Sequence, residues 1–395
     1  MKIALVTRGA LPIPNVRGGG VETLITALIE ENEKSNNEIT VFSLYDKDAV
    51  KISKRYKRTK FVFLHFSKRT LLDRVRARLF KDFPRESPIS FSKIAKFIEK
   101  EKFDKIVIEH APWQFPFFVN KFGKDVTLHL HNDWINESWP GKYAERLRKA
   151  INESNGVMAI SKFIESKVMT LGEINEKKVN LLYNATDIEL FSNKIDSEEK
   201  DNLKRTLGFS KEDIILIYTG RLCEEKGVLE LLNAFIKQHR KNVKLLLVGS
   251  VSFGETTSDK YTDRVNTIVE KYSDRIKATG YVTYEEIYKY YAIADIQVIP
   301  SIWEEPFGLV AIEGMCQGLP IICTNSGGMA EVVDDSCAII IDKEQIESQL
   351  SEAIEKLVNN SKLRIKLGEN SKKRILLHKE YSYEEFYKKF IELIQ

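Results

Sequence analysis

Short apolar segments alternate along this chain with longer segments in which apolar residues recur every three or four positions. The short segments have the length of buried strands, and the longer ones have the periodicity of amphipathic helices. Repeated alternation of strand and helix predicts parallel sheets covered by crossover helices. In the first half, the predicted strands are residues 2–7, 39–44, 61–66, 105–109, 126–131, 156–160 and 179–183.

The same alternation restarts in the second half, after the polar and charged stretch 184–211, which we interpret as a linker. We therefore predict an α/β protein with two Rossmann-like domains, at residues 1–190 and 191–378. A C-terminal helix within residues 379–395 is expected to pack back on the first domain. The predicted strands of the second domain are residues 214–219, 243–248, 276–280, 295–300, 320–324 and 337–341.

Composition narrows the class of protein. The chain has 395 residues, 43% hydrophobic and 30% charged, which is typical of a folded globular protein and excludes a disordered one. No apolar run approaches the roughly 18 residues of a membrane-spanning helix, and the run Ile3–Val6 is too short for a secretion signal. The four cysteines lack CxxC spacing, so we expect buried, reduced thiols in a cytoplasmic protein.

Charge is distributed unevenly. The net charge is +4, but residues 51–100 contain 16 Lys or Arg and 4 acidic residues, so this segment carries +12 and the rest −8. Within it, apolar residues at helical spacing are interleaved with arginines over residues 69–83, which predicts a basic amphipathic helix. The helix either lies on the anionic inner face of the cell membrane or packs on the first domain. No nucleic-acid recognition module accompanies the charge.

Glycines follow the first predicted strand, in the segment Arg17–Glu22. Gly19 and Gly20 would let the backbone approach a phosphate, with the next helix supplying N–H donors. The segment lacks GxGxxG spacing, so an ordinary tight turn remains the alternative.

A second loop follows the first strand of the second domain, from Gly220 to Gly227. Arg221 and Lys226 in this loop could hold a diphosphate, the arginine as a planar fork and the lysine as a point charge. The alternative is a solvated loop, because the neighbouring pair Glu224–Glu225 partly neutralises both cations.

Two glutamates lie in the segment Pro300–Met315. Glu305 falls in the turn after a strand, and Glu313 falls two turns inside the following helix. Their carboxylates could accept hydrogen bonds from the hydroxyls of one ligand, while the N–H groups of Phe307, Gly308 and Leu309 face an anion. A structural ion pair is the alternative for Glu313, because a buried charge needs a partner.

These motifs resemble the retaining nucleotide-sugar glycosyltransferases of family four, which have the GT-B fold with two Rossmann-like domains facing a central cleft. The resemblance is carried by EPFGLVAIE (305–313), GRLCEEKG (220–227), GGVE (19–22), LLYNATDIELF (181–191) and ADIQVIPS (294–301).

The resemblance implies a role for each matching donor-site residue. Arg221 and Lys226 would bind the donor diphosphate and stabilise it as it leaves. Glu313 would hold the ribose, and Glu305 would hold hydroxyls of the donor sugar. The remaining donor contacts would come from the backbone of Phe307, Gly308 and Leu309, from Gly19 and Gly20, and from Tyr281 and Val282 near the base.

His131, in the segment Leu128–Asp133, matches the active-site histidine of the family. His129 alternates with it along the predicted strand, so both side chains should point the same way. We prefer His131 because it is nearer the carboxyl edge. A structural histidine is the alternative for either residue.

The resemblance also implies the chemistry: transfer from a nucleoside-diphosphate sugar, most favourably a UDP-sugar, to a glycan or lipid-linked acceptor in cell-surface polysaccharide synthesis. Fixed cations and N–H dipoles can stabilise the leaving group, so we expect neither a metal nor another cofactor. The Asp46–Asp48 segment is interpreted as a polar loop rather than a metal site. Two alternatives remain, a sugar-nucleotide epimerase of the same fold and a non-catalytic sugar-nucleotide-binding subunit.

Overall fold

The structure, a computed structural model, describes residues 1–66, 90–135, 141–250 and 260–395. The chain divides into two compact units. The first contains Met1–Asn184 together with Tyr383–Gln395, and the second contains Ala185–Ser382. The predicted amphipathic helix of residues 69–83 lies outside the described residues.

The first unit is built on a parallel sheet in the order β3-β2-β1-β4-β5-β6-β7. Its strands are β1 Lys2–Val6, β2 Glu38–Leu44, β3 Thr59–Leu64, β4 Lys105–Glu109, β5 Val126–Leu130, β6 Gly156–Ala159 and β7 Val179–Leu181. Its helices, numbered within the described ranges, are α1 Gly20–Asn32, α2 Lys47–Ser53, α3 Phe91–Glu101, α4 Phe115–Phe122, α5 Gly141–Glu153 and α6 Lys162–Met169.

The second unit repeats this plan with a parallel sheet in the order β10-β9-β8-β11-β12-β13. Its strands are β8 Ile214–Thr219, β9 Val243–Val248, β10 Ile276–Ala278, β11 Ile296–Ile299, β12 Ile321–Thr324 and β13 Ala338–Ile341. Its helices are α7 Ile188–Ser192, α8 Ser197–Thr206, α9 Val228–Ile236, α10 Lys260–Lys271, α11 Tyr284–Ala292, α12 Leu309–Gln317, α13 Met329–Val332, α14 Ile346–Asn359 and α15 Ser361–Leu377.

The amino-acid sequences of the strands explain why both sheets form. The central strands of each sheet are rich in Ile, Leu and Val and are almost entirely buried, as expected where helices cover both faces of a parallel sheet, whereas the edge strand β3 is mostly half-buried. In the second unit, β8, β9 and β11 form one core with α9 and α14. The two Rossmann-like sheets predicted from the alternation are therefore present, and most predicted strands end within one or two residues of the observed ones.

The linker prediction was wrong for much of residues 184–211, because α7 and α8 lie there. Asp187 caps α7 by accepting a hydrogen bond from Leu190 N (2.8 Å), and Asp196 caps α8 by accepting one from Glu199 N (2.8 Å). None of the side chains of α8 is buried, so a stable helix shows no apolar stripe in the sequence. The polar sequence of this helix therefore led to its prediction as a linker.

The first unit ends at Asn184 rather than at residue 190. Thr186 already belongs to the second unit, because its N–H donates to the carbonyl oxygen of Tyr381 (2.9 Å) and it forms a parallel bridge with Ser382. The chain returns to the first unit at Tyr383, where α16 begins and runs to Ile394.

Helix α16 contributes to the core of the first unit. Its residues Phe386, Phe390 and Ile394 are buried, and its Tyr387 hydroxyl donates to Asn32 Oδ1 of α1 (2.8 Å). These contacts explain why the last residues of the chain belong to the first unit.

We expect Phe390→Ala to destabilise the first unit by about 3–5 kcal/mol, because a fully buried ring is replaced by a cavity. Hydrogen exchange followed by mass spectrometry should show faster exchange in the peptides of β1, β4 and β5 and unchanged exchange in β8, β9 and β11. The matched control is Lys389→Ala on the exposed face of the same helix, which should leave both units unchanged. Equal effects of the two variants would contradict the packing of α16.

Candidate active site

The strand order of the second sheet reverses between β8 and β11, which are neighbours although β9 and β10 come between them in the chain. Ligands of open parallel sheets bind at such a switch point, at the carboxyl ends of the strands. The loop that leaves β8 carries Arg221 and Lys226, and the loop that leaves β11 carries Glu305. The strand order therefore brings the loop with Arg221 and Lys226 next to the loop with Glu305.

A close backbone approach holds these two loops together. Gly227 has a φ of +66°, and a Cβ on it would lie 1.9 Å from the carbonyl oxygen of Pro300. The carbonyl oxygen of Glu225 also accepts a hydrogen bond from the N–H of Ile302 (3.0 Å). Glycine is required at position 227 for both its conformation and its lack of a side chain.

An ion pair joins the two loops. Lys226 Nζ lies 2.6 Å from Glu305 Oε1, and the Lys226 ammonium also lies 5.0 Å from the centre of the Trp303 ring. Ser301 Oγ donates to the same carboxylate oxygen of Glu305. Burial alone raises the pKa of Glu305, but the charge and hydrogen bond of Lys226 outweigh it, and the net pKa is below the usual value.

The loop after β12 holds the backbone of Glu305 in place. The N–H of Glu305 donates to Ser326 Oγ (2.9 Å), and its carbonyl oxygen accepts from the N–H of Gly328 (2.7 Å). A Cβ on Gly327 would lie 2.2 Å from the same carbonyl oxygen. The turn that follows Glu305 is thus fixed, and it leads through Phe307 and Gly308 into α12, which begins at Leu309.

Glu313 is buried in α12 and is not salt-bridged to Lys or Arg in the part of the chain that the structure describes. Its Oε2 accepts a hydrogen bond from the Tyr291 hydroxyl (2.9 Å), which also lies 2.5 Å from Thr219 Oγ1 at the end of β8. Burial raises the pKa of Glu313 to about 7, although the bond from Tyr291 opposes this shift. Glu313 is therefore linked to the same strand end as Lys226.

Arg221 does not join the Lys226–Glu305 pair. Its guanidinium lies 3.3 Å from Glu225 Oε2, and 41% of its side chain is exposed. Tyr281 and Val282 follow β10, further along the same edge of the sheet. Gly249 links the two regions, because its N–H donates to Gly280 O (3.1 Å) and a Cβ on it would lie 1.9 Å from Gly220 O.

The predicted residues of the first unit lie at the carboxyl edge of its sheet. His131 directly follows β5, and its ring centre lies 4.0 Å from that of His129. Glu109, the last residue of β4, contacts both rings: its Oε2 lies 2.9 Å from His131 Nε2 and 3.0 Å from His129 Nδ1. The three side chains are 1–2% exposed.

The ionisation of this cluster reflects its burial. Burial lowers the pKa of His131, the neighbouring His129 lowers it too, and Glu109 opposes both effects, so that the net pKa is about 4. Burial alone raises the pKa of Glu109, but the two histidines outweigh it and bring that pKa to about 2. Glu109, His129 and His131 could together hold a metal ion, since one candidate ligand atom from each lies within 4.8 Å of the others.

The other predicted features of the first unit have local roles. Gly19 has a φ of +103° and precedes α1, which begins at Gly20. Arg17 pairs with Asp46 (2.8 Å) and Asp48 (2.7 Å), and Asp46 caps α2 by accepting hydrogen bonds from two backbone N–H groups. The Asp46–Asp48 segment thus has a structural role in this unit.

Sequence reasoning missed several residues that shape the site: Glu109, Thr219, Tyr291, Ser301, Trp303 and Ser326. Most of these act through contacts with residues distant in the chain, for which the sequence offers no local signal. One signal was available for the loop of Ser326. Gly327 and Gly328 follow two residues after the end of β12, much as Gly19 and Gly20 follow β1 after a longer loop.

Comparison with known proteins agrees with this architecture. The model of "Glycosyltransferase Family 4" matches residues 18–190, and that of "Glycosyl transferases group 1" matches residues 199–374. With two Rossmann-like sheets, these matches define a glycosyltransferase of the GT-B type. The chain belongs to the GT-B glycosyltransferases, with one family model on each half.

Individual relatives are similar over long stretches. Spore coat protein SA of Bacillus subtilis is 25% identical over 94% of this chain and 94% of its own length. The lipopolysaccharide 1,2-N-acetylglucosaminetransferase of Salmonella typhimurium is 30% identical over 49% of this chain and 51% of its own. HepE of Anabaena, crystallised in complex with UDP, has a TM-score of 0.77 at 18% identity, with 99% of both chains covered, and so has the same fold.

We expect the contribution of Glu313 to the stability of the protein, measured as the difference between the wild type and Glu313→Gln, to fall as pH rises. Its pKa is about 7 when folded and about 4.5 when unfolded, so the folded protein holds a proton that the unfolded chain releases in this window. The free energy of unfolding contributed by Glu313 is full below pH 4.5 and should fall by on the order of 3 kcal/mol by pH 7. Urea unfolding from pH 4.5 to 8 measures this change in the free energy of unfolding.

Glu313→Gln should lose this pH dependence, whereas Glu355→Gln, which removes an exposed carboxylate from α14, should retain it. Parallel stability curves for the wild type and Glu313→Gln would show that Glu313 is ionised in the folded protein.

Proposed function

We propose that this protein transfers a hexose from a nucleoside-diphosphate sugar, most favourably a UDP-sugar, to a glycan or lipid-linked acceptor, with retention of anomeric configuration and without a metal. The observation that carries the proposal is the Lys226–Glu305 pair at the switch point of the second sheet (2.6 Å). It joins a fixed cation for a diphosphate to a carboxylate that can hold sugar hydroxyls. The names of two similar proteins support the choice of sugar and of base. One is an N-acetylglucosaminetransferase, and the other was crystallised in complex with UDP.

The second unit binds the donor. Lys226 has three ammonium protons, and its bond to Glu305 uses one, so others can reach diphosphate oxygens. The N–H groups at the start of α12, from Gly308 and Leu309, add partial positive charge toward the same anion. Arg221, which is partly exposed, moves from Glu225 to the diphosphate when the donor binds.

The charge on the leaving group makes these contacts catalytic. As the bond between the sugar and the diphosphate breaks, negative charge grows on the departing oxygen, and a cation held at that point stabilises the transition state more than the bound donor. We propose transfer on the face from which the diphosphate leaves, which retains configuration. The acceptor binds at the carboxyl edge of the first unit, near His131.

Lys226→Met tests the donor site, because it removes the charge and keeps much of the side-chain length. UDP should stabilise the wild type more than GDP, ADP or dTDP does. At a UDP concentration of 100 Kd the stabilisation should be about 2.7 kcal/mol, measured as a thermal shift. Lys226→Met should lose most of this shift, and its kcat should fall by about 10²–10³-fold in sugar transfer measured with EDTA present.

Lys237→Met is the matched control, since Lys237 is an exposed lysine at the end of α9. It should behave as the wild type. No thermal shift with any of the four nucleotides would reject the donor site, and turnover of the sugar nucleotide to its epimer without transfer would favour the epimerase. Loss of all activity with EDTA would reject the metal-independent reaction.

We also propose that the basic segment 51–100 docks on an anionic membrane, as suits a lipid-linked acceptor. Its net charge of +12 supports this, because each basic residue near such a surface contributes about 1 kcal/mol. In the part of the chain that the structure describes, no helix is long and apolar enough to cross a membrane.

Co-sedimentation with vesicles tests this docking. We expect binding to phosphatidylglycerol vesicles at low salt, weaker binding as salt increases, and no binding to phosphatidylcholine vesicles. Replacing Arg74, Arg76 and Arg78 with glutamine should weaken it, whereas replacing Lys356, Lys362 and Lys366 of the second unit should not. Equal binding to both kinds of vesicle would contradict an electrostatic docking surface.

A further inference from the structure

The first sheet has a switch point of its own. Strands β1 and β4 are neighbours, although β2 and β3 come between them in the chain. Ligands of open parallel sheets bind at such a point, beside the carboxyl ends of the strands. Arg8 lies two residues after the end of β1, and His110 directly follows β4. Both residues therefore lie where the strand order favours a ligand.

The Arg8 side chain contacts an indole ring. Its Cζ lies 5.0 Å from the centre of the Trp134 ring, within the range of a cation–π contact. The Trp134 indole N–H donates in turn to His110 Nε2 (2.7 Å). The Trp134 ring also meets that of Trp113 nearly at right angles, with 4.8 Å between the ring centres. An aromatic cluster, rather than a carboxylate, thus positions the Arg8 guanidinium.

The backbone of this cluster is strained at one residue. His110 has a φ of +55°, in the left-handed region that side chains other than glycine rarely adopt. Residues of this kind concentrate at functional sites, where the surrounding packing maintains them. His110 is buried, and its backbone N–H donates to the carbonyl oxygen of His129 in β5 (2.9 Å). It therefore gives Trp134, and through it Arg8, a fixed support.

The half-buried Arg8 has no close counter-charge. In the ranges that the structure describes, its guanidinium forms no ion pair and no hydrogen bond, so its five N–H donors are unused there. Burial raises the pKa of Glu22 in α1, and the charge of Arg8 opposes this rise only in part, so Glu22 is a weak counter-charge. A guanidinium with free donors suits a carboxylate or phosphate, which it can bind through two parallel hydrogen bonds.

We propose that Arg8 binds an anionic group of the acceptor, a carboxylate or a phosphate, and so selects acceptors that carry one. The guanidinium contacts the anion, and Trp134 orients the guanidinium. The ring centres of His110 and His131 are 5.7 Å apart, so this anion site adjoins the edge at which the acceptor is proposed to bind. The inference rests on the proposed function, because that function makes the ligand an acceptor.

The indole N–H of Trp134 can detect this binding by nuclear magnetic resonance. The protein contains four tryptophans, so its proton–nitrogen spectrum has four indole signals, and that of Trp134 is assigned from its loss in Trp134→Phe. The probes are glucuronate, which carries a carboxylate, glucose 1-phosphate, which carries a phosphate, and neutral glucose, all at one ionic strength.

We expect a saturable shift of the Trp134 signal with at least one anionic probe and none with glucose. The stronger response identifies the anionic group as a carboxylate or a phosphate. No shift with either anion, or an equal shift with glucose, would overturn the proposal. Displacement of the anionic probe by UDP would overturn its assignment to the acceptor.

Arg8→Gln removes the charge and keeps a polar side chain. It should weaken binding of the anionic probe about 10–100-fold, because charge-assisted hydrogen bonds are lost, while the other indole signals stay in place and show that the protein is folded. Arg8→Lys, which keeps the charge but not the planar fork, should restore part of the affinity. The control Arg148→Gln, which removes an arginine paired with Glu173 in the same unit, should match the wild type. Unchanged affinity in Arg8→Gln would reject the site.

A second indole signal separates this inference from the proposed function. The Trp303 ring lies beside Lys226 of the candidate donor site, with 5.0 Å between the ammonium nitrogen and the ring centre, so UDP should shift the Trp303 signal. If UDP shifts no signal, the donor site fails, whereas the anionic probes still decide whether Arg8 binds an anion. If UDP shifts the Trp303 signal and Arg8→Gln binds the anions as the wild type does, the role of Arg8 is rejected and the proposed function remains.

Discussion

The candidate donor site depends on one interaction, the ion pair between Lys226 and Glu305. Glu305 is buried, and a buried carboxylate without a cation would be costly. Lys226 compensates this cost only because the loops after β8 and β11 approach so closely that a side chain at Gly227 would overlap the Pro300 carbonyl. The same contact that stabilises the fold here keeps a cation in a partly dehydrated position, where its charge acts most strongly on an anion.

The first unit compensates a buried carboxylate in another way. Glu109 faces two imidazole rings instead of an ammonium group. A lysine brings a permanent charge, which suits a diphosphate, whereas a neutral imidazole brings one donor and one acceptor, which suits a hydroxyl. The first six strands of the first sheet and the six strands of the second follow the same order, and the two carboxyl edges differ in the polar groups that they carry.

Much of the architecture could be predicted from the sequence because the strands are buried on both faces. Largely apolar runs such as Ile214–Thr219 and Val243–Val248 matched the observed strands, since a strand covered on both faces favours apolar side chains at nearly every position. The exposed helix α8 was missed because none of its side chains is buried, so its sequence has no apolar stripe. Its sequence resembles a linker in composition.

The site could be predicted only in part. Glycines, a lysine and two glutamates at strand ends indicated an anion site, because parallel sheets bring the carboxyl ends of their strands to one edge. The sequence by itself thus determined the fold class and which segments meet. Which atoms meet was decided by tertiary structure alone: strand order made β8 and β11 neighbours, and strand register set Glu109 opposite His129. Contacts between residues far apart in the chain depend on this packing, which no local pattern encodes.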